Sequence, residues 1–164
     1  MSVADRLAEL GLALPVAAAP VGAYVPALRT GSLVFTSGQL PFTDGGLPAT
    51  GVVGAGVGQV EPEAAHGYAR TAALNAVAAV AGVLAAETGE EPAAALERVA
   101  RVVKVVGFVA SDPGFTGQPA VINGASNLLQ ELFGDAGVHA RSAVGVAALP
   151  LGSPVEVEIV VETR

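Results

Sequence analysis

The sequence predicts an α+β fold in which helices cover one face of a β-sheet. Three observations favour this class: a Val-rich run from Val99 to Ala110, an alternation of Val or Ile with Glu that begins at Val155, and two long segments with helical periodicity. In chain order the predicted elements are a hairpin, a long helix, a strand, a second helix and two further strands. The 164 residues fit one domain, with residues 1–20 as an N-terminal extension.

The first part of the chain predicts a short helix, an extended segment and a hairpin. The helix covers Ser2–Leu10, and its first residue is a suitable cap. Three prolines favour an extended path through residues 14–27. Strands are expected over Tyr24–Leu28 and Ser32–Ser37, with a tight turn at residues 29–31.

The middle of the chain predicts a loop followed by a long helix and a short one. Residues 41–59 are rich in glycine and offer few side chains for packing, so we expect a surface loop. The long helix begins at Glu61 and ends at Gly89, and a short helix follows over Pro92–Glu97. The apolar stripe of the long helix is Leu74, Val77, Ala78, Ala81, Leu84 and Ala85.

A strand over Val99–Ala110 and a helix over Pro119–Phe133 follow. The strand is apolar enough to lie inside a sheet. Asn123 falls in the first turn of the predicted helix, where capping of backbone amides is a simpler interpretation than a role in a site. The buried stripe of this helix is Ile122, Ala125, Leu129 and Leu132.

The candidate chemistry lies in the last part of the chain. Arg141–Leu149 and Val155–Val161 are predicted to be two strands that meet at a turn. The alternation places Glu156 and Glu158 on one face of the last strand. An arginine such as Arg141, facing a strand that carries carboxylates, can hold an anion beside a general base. The structural alternative is an edge-strand arginine paired with a solvated glutamate.

Composition narrows the classes of function. The net charge of −7 and the absence of a basic stretch disfavour a general nucleic-acid binder. With no cysteine there is no thiol nucleophile or thiolate metal site. The N-terminus lacks the pattern of a secretory signal and no run is apolar enough for a membrane span, so we expect a cytoplasmic location. Because 52% of residues are hydrophobic and 14% are charged, we expect apolar surface to be buried between subunits.

Three segments together resemble the Rid family, the reactive intermediate deaminases also called the YjgF or L-PSP family. They are residues 21–41 with the pattern Ser-Gly-Gln-x-Pro, residues 102–109, and residues 140–158 with the pattern Ala-Arg-Ser-x-Val. The resemblance implies a chorismate-mutase-like fold with a mixed sheet and two main helices on one face. It also implies a homotrimer with a ligand cleft at each subunit interface.

The implied activity is hydrolysis of reactive enamines and imines, such as 2-aminoacrylate and other 2-imino acids, to 2-keto acids and ammonia, with neither a metal nor an organic cofactor. Arg141 matches the position that clamps the substrate carboxylate, and Glu156 matches the position that activates water. The remaining matches are substrate-binding positions, namely Tyr24, Ser37, Gly38, Asn123 and Ala143, the last acting through its backbone.

This chain departs from the common family pattern at several places. Ala143 stands where a cysteine is frequent, His139 and Ala23 each replace a usual proline, and the N-terminus and the loop over residues 45–59 are longer. Two other functions compete with deamination. One is a non-catalytic trimer that binds or senses small carboxylate or carbonyl metabolites; the other is a ribonuclease, which the acidic composition disfavours.

Overall fold

The computed structural model describes residues 1–16 and 22–164. The predicted extended path over residues 14–27 therefore lies partly outside the described residues. Within them the chain forms a five-stranded mixed sheet with α-helices on one face. The strands are β1 (Ala27–Thr30), β2 (Leu33–Thr36), β3 (Val99–Ala110), β4 (Ala140–Val146) and β5 (Val155–Thr163). The helices are α1 (Val3–Glu9), α2 (Pro62–Thr88), α3 (Pro92–Ala95) and α4 (Gln118–Phe133).

The sheet order is β1-β2-β5-β3-β4, and only the β3–β4 pair is parallel. The predicted pairing of the last two strands is therefore wrong, because β3 lies between β4 and β5. The physical reason is the α4 crossover, which carries the chain from the end of β3 back to the start of a parallel neighbour. β5 then pairs antiparallel with the other side of β3, where its Val and Ile side chains face the helices.

The two main helices pack together and cover the buried face of the sheet. α2 and α4 contact each other. α2 also contacts β5, and α4 also contacts β3. A Cβ built on Gly124 of α4 would lie 2.0 Å from the carbonyl oxygen of His66 in α2, so only glycine permits this close approach. Contrary to the expectation that no run is apolar enough for a membrane span, α2 is long and apolar enough by length and composition, with a mean hydropathy of 1.5 over a window of which 61% is buried inside the structure. It is the central core helix of this fold.

Most helix and strand assignments agree with the sequence, and the differences lie at connections. Gly89 adopts a left-handed φ of 75° and ends α2 as expected. The first hairpin is displaced: β1 begins after Pro26 and extends through Thr30, so the turn is Gly31–Ser32 rather than residues 29–31. β4 ends at Val146 rather than at the predicted Leu149, and a 3-10 turn over Pro150–Gly152 precedes β5.

The glycine-rich loop is anchored to the core. Val53 is fully buried, its amide donates to the carbonyl of Ala110, and its carbonyl accepts from the amide of Asp112. The expectation of a loop with little to pack is therefore wrong at this point. The buried valine joins the loop to the end of β3, beside the connection that leads into β5.

The face of the sheet opposite the helices is open and carries several exposed apolar side chains. Leu28 and Phe35 are paired across β1 and β2, and both are exposed. Val144 on β4 is also exposed and pairs with Phe108 on β3. The alternation of β5 places Glu156 and Glu158 on this open face, as predicted.

Candidate active site

Arg141 lies on the edge strand β4 and faces α4. It is directly opposite Val105, whose side chain is buried under the helices. Its Nη1 donates to Oδ1 of Asn123 at 2.8 Å and to Oγ of Ser126 at 3.1 Å. Within residues 1–16 and 22–164, no hydrogen bond engages Nε or Nη2. The guanidinium is therefore held by one nitrogen, while the two others remain to bind a carboxylate in bidentate fashion.

Asn123 does not cap its helix, contrary to the simpler interpretation of the sequence. The helix begins one residue earlier than expected, at Gln118, so Asn123 lies in the second turn. Its side chain reaches across to Arg141. The ion-pair alternative for Arg141 is also wrong for the described part of the chain, in which the two ion pairs are Arg29–Glu87 and Arg70–Glu131.

Sequence reasoning missed Ser126 as a contact of Arg141 and gave His139 no role. Ser126 lies three residues after Asn123, on the same side of α4. Nε2 of His139 lies 3.0 Å from Oγ of Ser126, and Nδ1 lies 2.6 Å from the carbonyl oxygen of Gly137. Burial, and then the nearby positive charge of Arg141, lower the pKa of His139, although the hydrogen bond to Gly137 opposes this shift. The spacing of Asn123 and Ser126 was the available signal for this cluster.

Glu156 and Gly38 form the second group. Glu156 is half-buried on the open face of β5, and a Cβ at Gly38 would lie 1.7 Å from its Oε1. The carboxylate thus occupies the space that any side chain at this position would fill. Burial, and then the negative charge of Glu158, raise the pKa of Glu156. A carboxylate with a raised pKa is suited to accept and return a proton near neutral pH.

Ser37 supports the same part of the site. Its hydroxyl donates to the carbonyl of Val25 at 2.7 Å, and its amide donates to the carbonyl of Pro26 at 2.9 Å. These bonds fix the segment that carries Tyr24, whose side chain is about half exposed. Gln39 continues the pairing to β5 through two backbone hydrogen bonds with Val157. Ser37 therefore fixes the backbone on one side of Glu156.

Within a single chain these residues form two groups on opposite faces of the sheet. Arg141 is the cross-strand partner of Val105 in β3, and Glu156 is the cross-strand partner of Phe108 in β3. Because side chains alternate along a strand, Val105 and Phe108, which are three residues apart, point to opposite faces, and so do their partners. Arg141, Asn123 and Ser126 are the arginine group, on the helix side of the β4 edge. Glu156, Gly38 and Ser37 are the glutamate group, on the open side, and Tyr24 lies on the segment that Ser37 fixes.

Ala143 belongs with the arginine group by its position. It follows Arg141 by two residues on β4, so its side chain points to the same face, where it packs against the core. β4 is an edge strand and offers backbone groups that have no partner within the sheet. This placement agrees with a role through the backbone, for which alanine and cysteine are equivalent.

Comparison with known proteins identifies the family. The family model described as "YjgF/chorismate_mutase-like, putative endoribonuclease" matches residues 4–163. The chain belongs to the YjgF family. The predicted membership and the chorismate-mutase-like fold are thus confirmed.

Individual proteins match along nearly their whole length. Protein TCP17 of Trypanosoma cruzi is 45% identical over 161 residues, which cover 98% of this chain and 93% of that protein. The crystal structure of Atu1372 from Agrobacterium tumefaciens, a protein of unknown function, is 43% identical and covers 99% of this chain and 92% of its own, with a TM-score of 0.83. E. coli TdcF, solved with bound serine, is 25% identical, covers 88% of this chain and 91% of its own, and has a TM-score of 0.57.

Proposed function

We propose that this YjgF family protein hydrolyses reactive 2-imino acids, including the imine tautomers of enamines such as 2-aminoacrylate, to 2-keto acids and ammonia. The observation that carries the proposal is the state of Arg141. Two side-chain acceptors hold one guanidinium nitrogen, and the nitrogens left over match the two oxygens of a carboxylate. The bound serine of TdcF, itself a small amino acid with a carboxylate, supports this class of ligand.

The chemistry requires one activated water and one proton carrier. Water attacks C2 of the imine, and Glu156 accepts the proton that the water loses. Glu156 returns this proton to the imine nitrogen, which gives the carbinolamine. The carbinolamine hydroxyl then gives its own proton to Glu156, Glu156 passes it to the amino nitrogen, and the C–N bond breaks as the carbonyl forms and ammonia leaves. The raised pKa of Glu156 suits both directions of this transfer, and base assistance of this kind contributes about 10²-fold to 10⁴-fold. No redox step or external electron acceptor is involved.

We further propose that the site is completed between subunits of a homotrimer. In one chain Arg141 and Glu156 lie on opposite faces of the sheet, so neither can act on a substrate held by the other without a second chain. The open face carries exposed apolar residues that a neighbouring subunit can cover. A cleft between copies then combines the arginine group of one chain with the glutamate group of its neighbour.

The assay that tests this function uses an amino-acid oxidase to generate 2-imino acids and measures 2-keto acid formation with and without the protein. Arg141→Ala is expected to abolish the acceleration while the oligomer stays intact. Arg29→Ala is the matched control, because it also removes an arginine, one that forms a surface ion pair with Glu87. Undiminished activity of Arg141→Ala would refute the assignment.

The same experiment separates the competing functions. Saturable binding of 2-keto acids that needs Arg141, without acceleration of imine hydrolysis, favours a metabolite-binding protein. Cleavage of RNA by the homogeneous protein would favour the ribonuclease in the family description, which we disfavour because a chain of net charge −7 repels a polyanion. We expect no RNA cleavage. We also propose that the protein is cytoplasmic and that its activity needs no cofactor.

A further inference from the structure

With a neutral imidazole, the hydrogen bonds behind Arg141 have one consistent direction. The carbonyl of Gly137 can only accept, so Nδ1 of His139 carries the proton. Nε2 of the neutral ring then accepts from the hydroxyl of Ser126. The oxygen of Ser126 in turn accepts from Nη1 of Arg141. The chain of donors runs from arginine to serine, to histidine, to the backbone.

We propose that Ser126 and His139 are positioning residues that fix the Arg141 guanidinium for a substrate carboxylate, and that they do so with a neutral imidazole protonated on Nδ1. Asn123 holds the other hydrogen of Nη1, so the plane of the guanidinium is set at two points. The carboxylate part of this inference rests on the function proposed above. The hydrogen-bond chain itself does not.

Protonation of His139 would reverse its hydrogen bond with Ser126. Both ring nitrogens would then donate, and the Ser126 oxygen would have to accept from His139 and Arg141 at once, while its own hydrogen loses its acceptor. The imidazolium of His139 and the guanidinium of Arg141, both positively charged, would also contact the same serine hydroxyl. Burial and the charge of Arg141 keep the ring neutral by lowering its pKa below the usual 6.5.

The other charged groups around His139 come from neighbouring strands. Arg101 of β3 and Glu162 of β5 are cross-strand partners and line the hollow that His139 also lines. From α4, the residues that contact this cluster are the uncharged Ser126 and Asn123. Arg141 is thus the cation most directly connected to the ring.

Nuclear magnetic resonance of the imidazole nitrogens tests the chain without any ligand. The protein has two histidines, so the ring signals of His139 need to be told apart only from those of His66. We expect His139 to show the Nδ1–H tautomer at pH 7 and to have a pKa below the usual histidine value, because burial lowers it. In Arg141→Gln the pKa of His139 should rise, because a positive charge is removed. An Nε2–H tautomer, or a His139 titration unaffected by Arg141→Gln, would overturn the proposal.

Ligand affinity tests the consequence for the site. Isothermal titration with pyruvate should show Ser126→Ala binding roughly 3-fold to 10-fold more weakly than the wild type, the loss expected for one hydrogen bond. Ser126→Thr keeps a hydroxyl and should restore most of the affinity. Thr71→Ala is the matched control, because among the described residues the Thr71 hydroxyl bonds only to Gly67 of its own helix. Equal affinity of Ser126→Ala and the wild type would refute the positioning role.

The pH dependence adds a measurement that a purely structural role would not change. At each pH the dissociation constant of the wild type is divided by that of His139→Gln. Any effect of Glu156 titration is common to both proteins and cancels in this ratio. This ratio should rise as the pH falls through the titration of His139, because only in the wild type does the Ser126 hydroxyl then lose the imidazole acceptor that helps it to position Arg141. A flat or falling ratio would contradict the inference.

The experiments distinguish failure of the proposed function from failure of the positioning role. A wild type that neither binds pyruvate nor hydrolyses imines rejects the function, and the resonance data then decide the hydrogen-bond chain. A wild type that does both, with Ser126→Ala and His139→Gln unchanged in affinity, rejects the positioning role alone.

Discussion

Substitution of Gly38 is the perturbation whose effect can be worked out most directly from the structure. An alanine Cβ would lie 1.7 Å from Oε1 of Glu156, whereas ordinary van der Waals contact begins at 3.4 Å, so the oxygen must retreat by about 1.7 Å. A misplacement of 1 Å can cost about 10²-fold in rate. Gly38→Ala should therefore lower kcat for imine hydrolysis about 100-fold, within the range of a lost general base.

Binding and folding should change little in the same variant. The atom that must move is the end of a flexible side chain, and the φ of Gly38 is not in the left-handed region. The substitution leaves Arg141, the proposed ligand of the substrate carboxylate, in place, so the dissociation constant for pyruvate should change far less than kcat. Gly46→Ala is the control, because its Cβ would meet no atom within 4 Å. A Gly38→Ala oligomer with kcat close to the wild type would refute the placement of Glu156 at the reaction.

Two further predictions concern stability. Because burial raises the pKa of Glu156 above its usual 4.5, its stabilising contribution is complete below the unfolded pKa and is lost as the pH rises through the folded pKa. Glu156→Gln should thus be more stable than the wild type at pH 7, with a difference that shrinks toward pH 4 in thermal unfolding; a lower Tm at pH 7 would contradict the reasoning. Gly124→Ala should destabilise the fold by about 1–3 kcal/mol in urea, because its Cβ meets the backbone of His66 at 2.0 Å. Gly82→Ala, with open space around it in α2, should instead stabilise by about 0.5–1 kcal/mol; equal effects of the two glycine variants would refute the packing argument.

Local patterns predicted the elements of this fold well because each element buries one continuous face. The stripe of α4, Ile122 with Ala125, Leu129 and Leu132, is fully buried as expected. The alternation of β5 correctly assigned its two faces. Periodicity does not reveal which strand is a neighbour, and this is why β4 and β5 were wrongly paired. The long Val-rich β3 separates them because the α4 crossover needs a parallel partner.

Only the residues of the candidate site that match the family pattern could be predicted from the sequence. Arg141 and Glu156 stand out in the sequence, but their separation onto opposite faces follows from the register of three strands. Ser126 and His139 escaped notice because a serine on a helix and a lone histidine are common surface residues. Their connection depends on α4 crossing beside the end of β4, a tertiary contact with no local signature.

The central claim is that each site joins Arg141 of one chain to Glu156 of another, and mixed oligomers test it most directly. Arg141→Ala and Glu156→Gln are each expected to be inactive alone. Co-expressed with different tags and purified as mixed trimers, they should recover about one third of the wild-type activity, since each mixed cyclic trimer has one cleft in three that pairs an intact arginine group with an intact glutamate group. Mixed trimers with no more activity than either parent would contradict the account.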